Sequence, residues 1–304
     1  MAIKNFDELL ERLNKEISAQ GGKKKTVAVV AADDAHALEA VIHAREAANA
    51  ILVGHKEKIS AVLEQLGKDP DDFNMVQVIE GEHPSVVAAR LIHAGEADFL
   101  MKGHITTAEL MKGVLSPEAN LRTGALMSHV AMLEIPDFHK LIMITDSGMC
   151  TYPDLGKKKH IIENAVAFLH NLGYERPNVA VLAAVEVLNP KMPETVDAAA
   201  LKQMNANGEL TGCYVEGPIS YDLAMVKEAS KIKDYDCPCV GDFDILLTPD
   251  ITLGNVLAKS LIYSAKSRMA GVITGAKVPI VLTSRSASSD EKFYSVVLSA
   301  LVCP

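Results

Sequence analysis

No segment of this sequence stays apolar for long. The longest uninterrupted run, residues 179–185, holds seven residues, whereas a membrane-spanning helix needs about 20, so the chain is expected to be soluble. The first residues mix charges through an amphipathic pattern and lack a basic cap followed by an apolar stretch, which argues against a secretory signal and for the cytoplasm. Basic side chains are outnumbered, 30 against 39 acidic, and the formal net charge of -9 argues against a nucleic-acid surface while leaving room for a local anion site. Cysteine is scarce. Cys150, Cys213, Cys237, Cys239 and Cys303 include no CxxC pair, and no His or Cys neighbours recur at zinc-site spacing. Reduced thiols are expected throughout, Cys237-Pro-Cys239 included, and no metal site is expected.

Several catalytic signatures are also missing. There is no GxxxxGK[ST] loop, no GxGxxG after a strand, no HExxH and no GxSxG, which removes the usual marks of nucleotide hydrolysis, dinucleotide binding, zinc peptidases and α/β-hydrolases. Histidines are scattered, and the two on candidate site loops, His104 and His129, read as structural before catalytic.

What remains is a globular composition. With 304 residues, 49% hydrophobic and 23% charged, the chain is long enough for two domains or one large α/β domain. A helix with Phe6, Leu9, Leu10, Leu13 and Ile17 on one face ends at Gly21 and Gly22. Short apolar runs at 27–30, 50–53, 75–79 and 98–101 then alternate with amphipathic stretches at 37–48, 56–66 and 86–95. This is βαβ alternation and predicts a mostly parallel sheet. After a loop-rich stretch at 116–139 it resumes, with strands at 141–144, 179–185, 212–215 and 244–247 and helices from near Lys157, Thr195, Tyr221 and Gly254. Strands at 272–274 and 280–283 and a helix from Ser289 close the chain. A domain boundary is expected near His139.

In open parallel sheets ligands bind beyond the carboxyl ends of the strands, where helix N-termini point free amides into a crevice. The predicted strand ends carry Lys102-Gly103-His104, Asp146-Ser147-Gly148, Glu186, Glu216-Gly217-Pro218, Pro249-Asp250, Gly275 and Ser284-Arg285. Any one of these could simply cap a helix; together they favour an active crevice. Of seven arginines, only Arg122, in a glycine-punctuated loop, and Arg285, directly after an apolar strand, lie outside patterns of a charged helical surface. Their planar forks suit oxyanions, although each is equally readable as half of a structural ion pair. Ser284, Ser286, Ser288 and Ser289 surround Arg285 with hydroxyls, which strengthens a phosphate reading. Asp290 and Glu291 fall in the first turn of the last helix, where they either complement its dipole or act as a general base.

These residues resemble those of the phosphate butyryltransferases, within the phosphate acetyl/butyryltransferase family. The likeness is carried by Met101-Lys-Gly-His-Ile-Thr-Thr107, Leu121-Arg-Thr-Gly124 with Met127-Ser-His-Val130, Glu186-Val-Leu-Asn-Pro-Lys-Met-Pro193, Glu216-Gly-Pro218, Gly254-Asn255 and Leu282-Thr-Ser-Arg285, and it spans nearly the whole chain. It is most specific in the Asn-Pro-Lys-Met-Pro and Thr-Ser-Arg segments. The Lys-Gly-His-Ile-Thr-Thr segment departs from the Leu-Val-Asn-Thr that butyryltransferases more often carry, a difference that bears on the acyl pocket.

The resemblance implies a two-domain α/β/α fold like the isocitrate and isopropylmalate dehydrogenases, with mostly parallel sheets and the active site in the cleft between domains. Residues 1–138 with 275–304 would form one domain and 139–274 the other. It implies reversible transfer of a short acyl group, acyl-CoA plus inorganic phosphate giving acyl phosphate plus CoA, with no cofactor, no metal and no covalent intermediate, in a homodimer or larger homo-oligomer. Arg122, Ser284 and Arg285 match the phosphate-holding positions, and the base falls at Asp290 or Glu291, with counting from Ser284 favouring Glu291. Lys102, His104, Thr106, Thr107, Glu216, Gly254 and Asn255 are implied in contact with CoA or the acyl group. The neighbouring readings are a phosphate acetyltransferase, a metal- and NAD-dependent decarboxylating dehydrogenase using Asp146 and Asp250, and a non-catalytic CoA-sensing module. No paired acidic helix motif supports the dehydrogenase.

Overall fold

The structure is a computed structural model that describes residues 3–284 and 287–303. Arg285, singled out above, lies outside the described residues. The chain divides into two compact units, one formed by Phe6–Ala125 with 270–303 and the other by 3–5 with Leu126–Met269. Both are α/β and mostly parallel.

In the first unit the strands are β1 (Thr26–Val30), β2 (Asn49–Gly54), β3 (Asn74–Gln77) and β4 (Phe99–Lys102), joined late in the chain by β10 (Arg268–Thr274) and β11 (Ile280–Val281). Their order is β3-β2-β1-β4-β11-β10, parallel except for the β10–β11 pair. The helices are α1 (Phe6–Ala19), α2 (Ala35–His43), α3 (Lys56–Gln65), α4 (Pro84–His93), α5 (Thr107–Val114) and α11 (Ser289–Val302). β1 is buried from Val27 to Val30 because helices cover both faces of a parallel sheet. That is why it reads as an unbroken apolar run and not as an alternation.

The second unit holds β5 (Ser128–Glu134), β6 (Ile142–Thr145), β7 (Asn178–Leu182), β8 (Tyr214–Ile219) and β9 (Ile245–Leu247), in the order β5-β6-β9-β7-β8. Its helices are α6 (Leu155–Asn171), α7 (Pro193–Ala206), α8 (Tyr221–Met225), α9 (Ala229–Lys233) and α10 (Ile251–Tyr263). Only β5 with β6 is antiparallel. Ile142, Ile144, Leu182, Ile219, Phe243 and Leu246 form the centre of its core.

Two segments differ from the sequence reading. β5 lies inside the stretch read as loop, since its Ser128 and His129 look like turn residues yet are buried. Its pairing with β6 puts the division between units after Ala125, ahead of His139. β8 runs through Glu216-Gly217-Pro218 instead of ending before them. Pro218 is tolerated there because β8 stands last in the strand order, where no neighbour needs its missing N–H. Among the described residues no helix is long and apolar enough to cross a membrane.

Candidate active site

Three strands of the first unit, β1, β4 and β11, lie side by side and parallel. Their carboxyl ends lead into the starts of α2, α5 and α11. A cavity of about 470 Å³ opens there, lined by Asp34, His36, Lys102, His104, Thr106, Glu109, Ser284 and Lys292 among others.

Each helix start is built by a capping side chain. Asp34 Oδ2 accepts from Ala37 N at 3.0 Å. Thr106 and Glu109 form a reciprocal capping box, with Glu109 N donating to Thr106 Oγ1 and Thr106 N to Glu109 Oε2, both at 3.2 Å. The Thr106 hydroxyl, which donates to Glu109 Oε2 at 2.7 Å, and the Thr106 amide hold the Glu109 carboxyl below the usual carboxylate range. Ser288 Oγ accepts from Glu291 N at 3.1 Å. The loop after β4 is pinned to the end of β1, where Gly103 N donates to the Val30 carbonyl at 2.9 Å and His104 N to that of Ala31 at 2.7 Å. A Cβ on Gly103 would stand 2.2 Å from the Ala31 oxygen, so only glycine permits this approach.

The two acids of the last helix sit in opposite environments. Asp290 is exposed, whereas Glu291 is buried, at 8% exposure. Glu291 Oε1 finds no hydrogen-bond partner among the described residues. Burial pushes its carboxyl up to about 7, against the opposing pull of Lys292 and a Ser284 backbone bond. Lys292 is itself buried, which draws its ammonium below the ordinary range while Asp34, Glu291 and Glu39 favour the charged form.

Of the residues singled out in the sequence, Lys102, His104, Thr106 and Ser284 meet in this cavity. Thr107 opens α5 beside them. Arg122 does not line the cavity; it is exposed on a loop clipped to the β10–β11 connection by Thr123 Oγ1 to the Gly275 carbonyl at 2.7 Å and Lys277 N to the Leu121 carbonyl at 2.9 Å. The other candidates belong to the second unit. Glu216 is buried within β8 and accepts from Lys202 Nζ at 2.5 Å, Tyr235 Oη at 2.9 Å and Tyr214 Oη at 3.0 Å. Burial alone would raise its carboxyl, but these donors hold it below the usual range. Gly254 and Asn255 lie near the start of α10 against the Asp146–Ser147 backbone. A Cβ on Gly254 would come within 2.3 Å of the Asp146 carbonyl oxygen, and Asn255 Nδ2 donates to that of Ser147 at 3.2 Å.

Asp146 and Asp250 are engaged by backbone. Asp146 accepts from the amides of His129, Gly148 and Met149, and Asp250 caps α10 through Leu253 N. Among the described residues no group of three or more His, Cys, Asp or Glu side chains is placed to hold a metal ion.

Sequence reasoning passed over Asp34, His36 and Lys292. The signal for the first two was available, since they follow β1 as His104 follows β4, and the strand-end rule applies to both equally. Lys292 gave none beyond its place next to Glu291.

The sequence pattern of the phosphate acetyl/butaryl transferase family matches residues 77–300. The chain is similar to a phosphate butyryltransferase of Clostridium acetobutylicum, 40% identical over 302 residues that cover 99% of this chain and 98% of that one. A phosphate acetyltransferase of Thermotoga maritima is 42% identical, over 95% of this chain and 99% of its own. Among solved structures, a branched-chain phosphotransacylase from Enterococcus faecalis V583 superimposes with a TM-score of 0.80 at 32% identity, covering 91% of this chain and 98% of that one.

Proposed function

We infer the reaction from one premise: the chain belongs to the phosphate acetyl/butaryl transferase family and is a phosphate acyltransferase acting on acyl-CoA, CoA and inorganic phosphate. We propose that it moves a four- or five-carbon acyl group, straight or branched, reversibly between CoA and phosphate, with no metal, cofactor or covalent enzyme intermediate.

The observation that carries the mechanism is the burial of Glu291 in the first turn of α11, next to Lys292, which lines the cavity with Ser284. A carboxyl near 7 is matched to proton transfer at neutral pH. In the direction that consumes CoA, Glu291 takes the thiol proton, the sulfur attacks the carbonyl carbon of the acyl phosphate, the C–O bond to phosphate breaks, and the departing phosphate carries the proton away from Glu291 as hydrogen phosphate. In the other direction hydrogen phosphate gives its proton to Glu291 as its oxygen attacks the thioester carbonyl, the C–S bond breaks, and the leaving sulfur takes that proton. Ser284, Arg285 and Arg122 are proposed to hold the phosphate against the carbonyl, where a preorganised clamp supplies both orientation and charge stabilisation. Lys102, His104, Thr106 and Thr107, with Gly254 and Asn255, are proposed to contact CoA or the acyl chain. Glu216, already engaged by three side chains, is proposed to shape its unit without touching substrate.

Overall identity does not rank acyl chains, because a butyryl and an acetyl enzyme match almost equally. The longer chain is favoured by the similarity to a branched-chain phosphotransacylase and by the Asn189–Pro193 segment, which resembles the butyryl branch. A homodimer or larger homo-oligomer is proposed on the same resemblance.

The test is phosphate-dependent release of CoA from acetyl-, butyryl-, isobutyryl- and isovaleryl-CoA, followed with a thiol reagent. A folded sample that releases no CoA in a phosphate-dependent manner from any of them overturns the reaction.

A further inference from the structure

One buried cation has no part in the chemistry above. Lys292 is 7% exposed and lines the cavity of the first unit. Its Nζ makes a single hydrogen bond among the described residues, to the His36 carbonyl oxygen at 3.1 Å. An ammonium carries three N–H donors, and burying one is costly unless its charge and its donors are met. Two donors of Lys292 therefore lack a described acceptor at the edge of a polar cavity.

The surroundings favour an anion. The two acids lining the cavity are engaged elsewhere, Asp34 with the first turn of α2 and Glu109 with the Thr106 cap. Their charge is offset by Lys102 and Lys292, which also line the cavity, and α2 and α5 open onto it with the positive ends of their dipoles. Ser284 adds a hydroxyl there. Asp34, Glu291 and Glu39 favour its charged form, yet among the described residues none of them accepts a hydrogen bond from Lys292, so its two remaining donors are left for a ligand.

We propose that Lys292 forms, with Lys102 and Ser284, a phosphate-binding subsite in this cavity. Its ligand is a phosphate group of either inorganic phosphate or CoA, and the proposal deepens the reaction proposed above and rests on it for the identity of those ligands. Lys292 would then be a residue that sets substrate affinity, distinct from the Arg122 and Arg285 positions.

Inorganic phosphate, CoA and dephospho-CoA are titrated calorimetrically into the full-length protein and into Lys292→Met and Lys292→Arg. If the subsite takes inorganic phosphate, its affinity falls about tenfold or more in Lys292→Met, recovers in part in Lys292→Arg, and CoA binding changes little. If it takes a CoA phosphate, the loss falls on CoA instead, and is absent with dephospho-CoA when the 3′-phosphate is the ligand. Unchanged affinity for both phosphate and CoA in a folded Lys292→Met overturns the subsite, and so does equal damage by Met and Arg with a lowered melting temperature in both. Lys292→Gln replaces Met if that variant does not fold. Thioester turnover by the wild type on the same samples tests the reaction separately. Phosphate binding through Lys292 without turnover keeps the subsite and overturns the reaction, whereas turnover with ligand affinities insensitive to position 292 does the reverse.

Discussion

Asp290 and Glu291 are adjacent acids in one helical turn, and only burial distinguishes them. If Glu291 is the base, Glu291→Gln loses roughly 100-fold or more in the direction that consumes CoA, while Asp290→Asn, which removes an exposed dipole-complementing charge worth about 0.3 to 1 kcal/mol, stays near wild type. Initial rates for the two variants decide between them. The wild-type rate in that direction should rise as pH passes through about 7, because the base must first lose its proton. Stability runs the other way. A carboxyl raised from 4.5 to about 7 by folding binds its proton more tightly in the native state, so its contribution is present below about 4.5 and is lost as pH rises through 7. Glu291→Gln abolishes that loss and should raise stability at pH 8 by up to about 3 kcal/mol, readable as a higher melting temperature than wild type at pH 8 and a smaller gain at pH 5. Equal melting at both pH values would show that the Glu291 carboxylate is solvated.

At the scale of the element, the cavity depends on loops held close to strand ends. The β4–α5 loop is the tightest, and Gly103→Ala drives a methyl into the carbonyl oxygens of Val30 and Ala31. Overpacking of this kind costs about 1 to 3 kcal/mol, and because the displaced loop carries His104 and adjoins Lys102, activity should fall together with the melting temperature. A variant with wild-type kinetics would show that the loop yields without moving the site. Most elements were legible because helix-covered parallel strands appear as short apolar runs between amphipathic stretches, as in β1 and β2. β5 was not legible, since Ser128 and His129 are polar yet buried, with Thr145 Oγ1 bonding to the His129 carbonyl at 2.9 Å. β8 was only half legible, because Gly217 and Pro218 mark turns in most sequences and here sit in a strand at the end of the order.

For the whole molecule the outcome to measure is acyl preference. Two methylenes beyond acetyl, each contributing about 0.8 kcal/mol on burial, amount to about 1.6 kcal/mol, or roughly 15-fold in kcat/KM. Butyryl-, isobutyryl- or isovaleryl-CoA should therefore exceed acetyl-CoA by that order, and the opposite ranking would place the enzyme with the acetyl class while leaving the reaction intact. The sequence by itself determined the α/β class, the alternation of strands and helices, the family resemblance and the placing of Ser284 beside a pair of acids, because each of these is written in local spacing or contiguous motifs. Only the tertiary structure decided that Glu291 is the buried acid, that Glu216 is taken up by Lys202, Tyr214 and Tyr235, and that Asp34 and Lys292 face the same cavity as Lys102. The physical reason is range. Burial and meeting at strand ends are set by which strands lie side by side, and the neighbours of β4 come from residues 26–30 and 280–281, far beyond the reach of any helical or strand period.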